Sequence, residues 1–351
     1  MRADKIIGKP DIARIKAWMS GGGRKILVYH RDADGVCSAS LFLKFFSGFE
    51  TLPREGPVID NDFLKVLIGK KPDVLVFLDI PVDQEWKKIH KLQEAVAGMK
   101  MMILDHHIPV KDMNSERLVH INPMFHGDAY IPASCVMFHL LKGMGFAVDE
   151  WMWIAIIGLI GDYGMKDCAW MMKEYDAKKM EPPCESLFRA SDIISSSITL
   201  KGAEGAEKSL RLIVSSQKYD DLRKSEELKR WNEIVQGEVR KIVDDFEKSK
   251  ETVPNKNIIF YEIRSKMNIT SIIATITAEK HPEAIIIIRK RSGDFWKISM
   301  RCQEGNVNVG DLAKFASDGI GSGGGHVKSS GALVNSWETF KERVFLYIEK
   351  A

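Results

Sequence analysis

Cysteine is scarce in this sequence: five residues among 351, Cys37, Cys135, Cys168, Cys184 and Cys302, with no C-x-x-C pair. That scatter argues against a disulfide framework and a zinc ribbon, and isolated small thiols suit a reducing, cytosolic setting. Long apolar runs are missing too. The longest, around Trp151 to Ile160, is shorter than the ~20 residues needed to cross a bilayer. No basic segment followed by an apolar core and a small-residue cleavage site opens the chain. Neither a membrane span nor a secretory signal is therefore expected, and the expected location is cytoplasmic. Charge of either sign is nearly balanced, with 51 basic and 48 acidic residues and a net +3. A total this small does not by itself indicate nucleic-acid binding, yet it permits a local basic groove.

What is present is a globular composition, 45% hydrophobic and 28% charged, in a chain long enough for two domains with a core in each. The first half alternates short apolar runs with helical patterns. Ser38–Phe46 follows as a helix behind Gly35, Pro72–Leu78 as a buried strand, Asp83–Ala97 as a helix and Lys100–Leu104 as another strand. This βαβ repetition predicts an α/β fold built on a parallel sheet with covering helices. Ser134 is the expected cap of the next helix, and Asp149 that of the helix running from Trp151 through Ile160. From about Leu187 an amphipathic pattern takes over: Leu228, Trp231, Val235, Val239, Ile242 and Phe246 recur every three or four residues, a packing stripe flanked by a solvated charged face. Beyond Pro254 the pattern is strand-like, with Gly293 in a turn, then a helix over Val309–Ala316. The expected division is a catalytic domain over 1–186, a helical connector over 187–253 and a smaller α/β domain over 254–351.

The chemistry sits where apolar runs end. ILVYH leads into Arg31, Asp32, Ala33, Asp34 and Gly35; VLVFL into Asp79; MMIL into Asp105, His106 and His107; and IAIIGLIG into Asp162. Residues just past the carboxyl ends of parallel strands converge on one crevice. His30, Asp32, Asp34, Asp79, His106 and Asp162 are thus expected to meet, and a group so rich in carboxylates repels itself without cations. Carboxylates mixed with imidazoles suit Mn²⁺, or Zn²⁺ and Mg²⁺ less specifically. Each acid alone also fits a turn or helix cap, Asp-x-Asp-Gly fits a common turn, and His107 fits a core histidine. Their conjunction favours a two-metal hydrolytic site. Near the C-terminus, Gly323, Gly324 and Gly325 precede His326, and such a run lets backbone N–H groups approach an anion, although a flexible loop is the plain alternative.

With these residues assembled, the chain resembles the DHH phosphoesterase family, in the subgroup whose second domain is called DHHA1. HRDADGVCSA, LDI, LDHH and GDYG resemble the family's four motifs, and KISMR with GSGGGHVKSSGALV resembles the phosphate-gripping elements of DHHA1. The resemblance implies that Asp32, Asp34, Asp79, His106 and Asp162 hold two Mn²⁺ ions, Mg²⁺ being an accepted substitute, with Asp79 bridging and His30 joining them. It implies that His107 contacts the scissile phosphate or its leaving oxygen, so that His107, Asp79 and Asp34 form the catalytic group. Ser299, Arg301, Gly323, Gly324, Gly325 and His326 would grip a substrate phosphate. His30 stands two residues before Asp32, a short form that looks like RecJ-type and archaeal RecJ-like nucleases.

The implied function is a metal-dependent phosphoesterase, an exonuclease acting on single-stranded DNA or RNA or on short oligonucleotides. A helicase or replisome protein is a possible partner by the same resemblance. Arg289, Lys290, Arg291, Trp296 and Lys297 place basic residues beside an aromatic, as a stacking and backbone-tracking surface requires; RKRSGDFW equally fits an exposed hairpin with a core tryptophan. Two other functions stay open: hydrolysis of small nucleotides such as a cyclic dinucleotide or a nucleoside bisphosphate, and a replication or repair scaffold resembling inactive family members. Intact acids and histidines in all four motifs count against the scaffold.

Overall fold

Alternate side chains of the central N-terminal strands are buried on opposite faces, and this explains why those segments are apolar over most of their length. The elements up to the sheet's last strand are α1 (Lys9–Ser20), β1 (Lys25–His30), α2 (Ala33–Phe45), β2 (Phe49–Arg54), α3 (Asn61–Lys70), β3 (Val74–Leu78), α4 (Trp86–Ala95), β4 (Lys100–Leu104) and β5 (Leu118–Ile121). All neighbours in the order β2-β1-β3-β4-β5 are parallel. Leu27, Tyr29, Val76, Leu78, Met102 and Leu104 face one apolar layer, whereas Ile26, Val28, Leu75, Phe77, Met101 and Ile103 face the other. A parallel sheet covered on both sides needs such two-faced strands. The computed structural model describes residues 9–56, 59–127 and 130–350.

Helices complete the layers: α5 (Ala133–Gly143), α6 (Met152–Gly161), α7 (Ala169–Ala177), α8 (Cys184–Lys201), α9 (Ala203–Ser215), α10 (Tyr219–Arg223) and α11 (Glu226–Ser249). The run IAIIGLIG, grouped above with the strand ends and also read as part of a helix from Trp151 through Ile160, lies in α6, so Asp162 follows a helix. Residues 152–160 are all buried, and periodicity cannot separate an all-round buried helix from a buried strand. Ser134 does not cap α5, which begins at Ala133. Its first N–H groups donate instead to Asp34, 99 and 100 residues away. Asp149 lies in a 3₁₀ turn ahead of α6 without capping it, and binds Lys142 and Lys178.

Two compact units divide within α11, between Asn232 and Glu233. Leu187, Ile194, Leu210, Ile213, Leu222 and Trp231 all belong to the core of the first unit. The second unit contains β6 (Glu251–Val253), β7 (Ile258–Glu262), α12 (Thr270–Lys280), β8 (Ile285–Ser292), β9 (Phe295–Arg301), α13 (Val309–Ser317), β10 (Gly321–Gly325), β11 (Ser329–Val334) and α14 (Trp337–Lys350). Its sheet order is β10-β11-β9-β8-β7-β6, antiparallel except for β7 with β8. One face is packed by α13 and α14 around Ile287, Ile298, Met300 and Phe340, while α12 lies over β8 and β9 on the other. Among the described residues no helix is long and apolar enough to cross a membrane.

Because α9 is part of the first core, Leu210→Ala is expected to cost about 3 kcal/mol, the usual range for a buried leucine. Urea unfolding measures it; a loss below about 0.5 kcal/mol would show that α9 contributes no core.

Candidate metal centre and phosphate-binding sheet

Strand order reverses between β1 and β3, and open α/β sheets bind ligands at the carboxyl ends beside such a switch. His30 ends β1. Asp32 then caps α2, its Oδ1 accepting the Gly35 N–H at 2.8 Å, so the cap and the site share one side chain. Gly35 is required by crowding: a Cβ there would lie 2.2 Å from the His30 carbonyl oxygen. Asp34, 1% exposed, accepts from Ala133 N at 2.6 Å and Ser134 N at 3.0 Å. Asp79 follows β3 in the left-handed region with φ 61°, a strained conformation of the kind found at functional sites, and its N–H donates to Leu104 O at 2.8 Å. Asp105, His106 and His107 follow β4, and Asp162 closes α6.

Asp79 stands between two sets of donors. Its Oδ2 lies 3.4 Å from His30 Nδ1 and its Oδ1 lies 3.1 Å from His106 Nε2. His30 Nδ1 is also 2.7 Å from Asp32 Oδ2, and His106 Nε2 is 3.6 Å from Asp162 Oδ2. Three groups each hold ligand-type atoms within 4.8 Å of one another: His30, Asp32 and Asp79; Asp34, His106 and Asp162; and Asp79, His106 and His107. The structure thus brings together all six residues expected from the sequence, and His107 with them. Both Asp79 oxygens and His30 Nδ1 are buried yet lack hydrogen-bond geometry despite these short distances. Leaving such atoms unmatched costs about 1–3 kcal/mol each. Atoms converging on a divalent cation have this arrangement, so the donor set fits one.

The titration behaviour follows from crowding. Burial, then repulsion from Asp79 and Asp162, pushes Asp34 well above the ordinary carboxylate range. Burial, with Asp79 and Asp32 adding to it against His106, raises Asp162 to about 6. Burial alone would raise Asp79 as well, but His106 and His30 outweigh it and hold that carboxyl low. For both imidazoles burial favours the neutral form, and neighbouring carboxylates overcome it: Asp32 and Asp79 for His30, Asp79 and Asp162 for His106.

Three supporting residues had no role in the sequence reading beyond a cap or strand end. Fully buried Asp105 accepts from His107 through Oδ1, 2.8 Å from Nδ1, fixing which ring nitrogen faces outward. Asn122 Nδ2 donates to His107 O at 2.8 Å. Tyr130 donates its hydroxyl to the Asp162 carboxylate and packs edge-on to His106, with ring centroids 5.1 Å apart. Asp105 was legible beside two histidines; nothing in the sequence around Tyr130 marks it.

In the second unit the glycine run is a strand, not a loop: Gly321–Gly325 forms β10, paired antiparallel with β11. On one face a Cβ at Gly323 would lie 2.7 Å from Ala313 O, so α13 packs against bare backbone. On the other, a Cβ at Gly324 would meet nothing within 4 Å. Gly324 pairs with Gly331, and Gly331 with Ser299, giving a side-chain-free floor edged by β9. Arg301, two residues on from Ser299 and on the same face, is 9% exposed. It donates to Ser271 Oγ at 2.7 Å, Met300 O at 2.9 Å and Thr275 Oγ1 at 3.2 Å. His326 N donates to Ser329 O at 2.7 Å where β10 turns into β11.

A switch-point crevice lined by carboxylates and imidazoles, on a chain with a second mixed-sheet unit, defines the class of α/β proteins with a candidate divalent-cation centre. Residues 25–159 match the DHH family N-terminal domain and residues 255–349 match the DHHA1 domain; the chain belongs to the DHH family and carries the DHHA1 domain. Its fold is similar to RecJ from Thermus thermophilus, solved in complex with Mn²⁺, at 17% identity and TM-score 0.74, over 97% of this chain and 54% of that one. It is similar to a pGpG-specific phosphodiesterase from Vibrio cholerae at 13% identity and TM-score 0.56, over 93% and 98% of the two chains. CDC45 from Entamoeba histolytica aligns at 9% identity and TM-score 0.60, over 97% and 99%. At these identities the likeness establishes the fold alone. No curated protein matches the sequence.

A pH-dependent metal effect follows. Without metal, the folded cluster retains protons on Asp34 and Asp162 above the unfolded value of 3.8, and on His30 and His106 above 6.5. All four values are raised, so their stabilisation is complete below the unfolded values. It is lost as pH rises, through about 6 for Asp162 and then through the raised imidazole values. Cations compete with those protons. The rise in melting temperature on adding Mn²⁺ to EDTA-stripped protein should be larger at pH 8 than at pH 6. Equal rises would show that the cluster does not exchange protons for cations.

Proposed function

We propose that this protein is a two-metal phosphoesterase that cleaves phosphodiester bonds of single-stranded nucleic acid or short oligonucleotides from one end. The observation that carries the two-metal reading is Asp79, whose two buried oxygens face separate histidine and aspartate sets. His30, Asp32 and Asp79 would hold one ion, and Asp34, His106 and Asp162 with Asp79 the other; the mixed oxygen and nitrogen donors favour Mn²⁺, and the similar RecJ has been solved with Mn²⁺ and with Mg²⁺. When bound, the ions supply positive charge against the phosphoryl oxygens and lower the pKa of water. The chain's own contribution is orientation and a proton. Asp105 fixes His107 through Nδ1 and, against the opposing effect of burial, raises its pKa, so Nε2 is the nitrogen left to deliver a proton to the leaving oxygen. Ser299, Arg301, Gly323, Gly324, Gly325 and His326 would bind a substrate phosphate, the planar guanidinium offering paired donors.

The oligonucleotide substrate is supported by the short HRDADG form and by the RecJ likeness over nearly the whole chain. A small dinucleotide is the second reading, favoured by the likeness to a pGpG-specific enzyme whose chain is covered almost completely.

End-labelled single-stranded RNA and DNA of graded length, incubated with Mn²⁺ beside pGpG and a nucleoside bisphosphate, test the choice. Stepwise shortening supports the exonuclease, and turnover of the small substrates alone supports the second reading. Inactivity on all of them would overturn both. Asp79→Ala and His106→Ala should abolish hydrolysis, and normal turnover by either would sink the two-metal assignment. Arg301→Ala should raise KM more than it lowers kcat. His107→Gln should lower kcat by roughly 10²–10⁴ on nucleotides. Its effect should be much smaller on a p-nitrophenyl ester, whose leaving group needs no proton; equal losses would remove the acid role.

A further inference from the structure

The basic cluster around the β8–β9 hairpin is split by the alternation of its strands. Arg289 lies 4.5 Å above Trp296 and 4.3 Å from the centroid of Trp337, and pairs with Glu262 at 2.6 Å. Trp296 packs on the apolar core, so Arg289 and Trp296 are packed and paired groups. Lys290 and Lys297 project from the opposite face and are directly opposed across the strand pair. Like charges in that position are destabilising. Neither forms an ion pair with a carboxylate among the described residues. Lys290 Nζ donates to Met267 O at 2.6 Å and Lys297 Nζ to Asn268 Oδ1 at 2.9 Å, both neutral acceptors just ahead of α12. Burial, then Lys297, lowers the Lys290 pKa. The buried hydroxyl of Thr270, the first residue of α12, has no hydrogen-bond partner, and no side chain caps that helix.

Lys297, Ser299 and Arg301 share this face at every second position of β9, which places Lys297 about 13 Å along the strand from Arg301. That distance exceeds one nucleotide step, and the intervening floor carries no side chain at Gly331 and Gly324, which lie side by side, and is open above Gly324. We propose that Lys290 and Lys297, beside the start of α12, form a second phosphate subsite that holds the backbone of a single-stranded oligonucleotide beyond the phosphate bound at Arg301 and the glycine floor. The proposal rests on the oligonucleotide reading above and adds a direction: the strand runs along β9 toward the hairpin. Two ammonium groups without carboxylate partners, held at fixed spacing, suit phosphates, which attract them without base preference.

The test is fluorescence anisotropy of the full chain in EDTA with labelled single strands from two to twelve nucleotides, wild type against the Lys290→Gln, Lys297→Gln double variant. Affinity for the longer strands should fall roughly tenfold, and the slope of log K against log salt should shrink by about 1.4, the share of two phosphate contacts. Restoring charge with Lys290→Arg, Lys297→Arg should recover most of both, which separates charge from packing. A loss independent of length, or an unchanged salt slope, would overturn the subsite. Wild-type hydrolysis of bis(p-nitrophenyl) phosphate with Mn²⁺ is measured in parallel. A wild type that binds strands through the lysines but cleaves no diester would retain the subsite and refute the phosphoesterase reading. A wild type that cleaves the small diester but binds no strand would refute the subsite and leave the metal centre standing.

Discussion

Gathering the buried Asp34 and Asp79 and the partly exposed Asp162 around His106 is the constraint on which the N-terminal unit depends. Carboxylates in a shared low-dielectric site cannot all ionise without compensation. The chain compensates each differently. The start of α5 donates two N–H groups to Asp34, His30 and His106 flank Asp79, and Tyr130 donates to Asp162. The compensation is incomplete, because both Asp79 oxygens remain without hydrogen-bond geometry and two of the three acids are pushed upward in pKa. A fold optimised only for stability would replace this cluster with apolar side chains. Retaining it is consistent with a cluster that exchanges protons for divalent cations.

The same constraint explains the positions of the surrounding elements. Asp34 ties the start of α2 to the start of α5, so the first motif of the sequence also places the helix after the last strand. Gly35 allows α2 to start against the His30 carbonyl, and the positive φ of Asp79 turns its carboxylate off the end of β3. Each local choice that looks like turn or cap chemistry therefore serves the crevice as well.

Much of this was legible because strand ends are marked by a change from apolar to polar residues. The ligand-type residues at the ends of β1, β3 and β4 followed from that change, and the parallel sheet from the βαβ repetition. Asp162 lies beside Asp34 and His106, but its run was read both as a strand end and as a helix from Trp151, since α6 is apolar on every side and offers no periodicity. The partner of Asp34 was hidden because it is backbone, 99 residues distant. In the second unit the glycine run concealed a strand: alternation cannot be seen where there are no side chains, although Gly323 and Gly324 face opposite ways.

Composition also failed to divide the β8–β9 patch, and the reason is geometric. Arg289, Lys290, Arg291, Trp296 and Lys297 are neighbours in sequence, yet a period of two sends Arg289 and Trp296 toward the α14 side and the lysines toward α12. A surface read as either a stacking platform or a hairpin with a core tryptophan is an arginine–tryptophan packing unit against the core, back to back with a lysine couple that has no carboxylate partner among the described residues. Aromatic stacking of bases therefore has no support at Trp296, whose neighbours are already Arg289, Arg291 and Trp337. On the proposed oligonucleotide reading, recognition on this unit would fall to phosphate contacts, which tolerate any base sequence and are sensitive to salt.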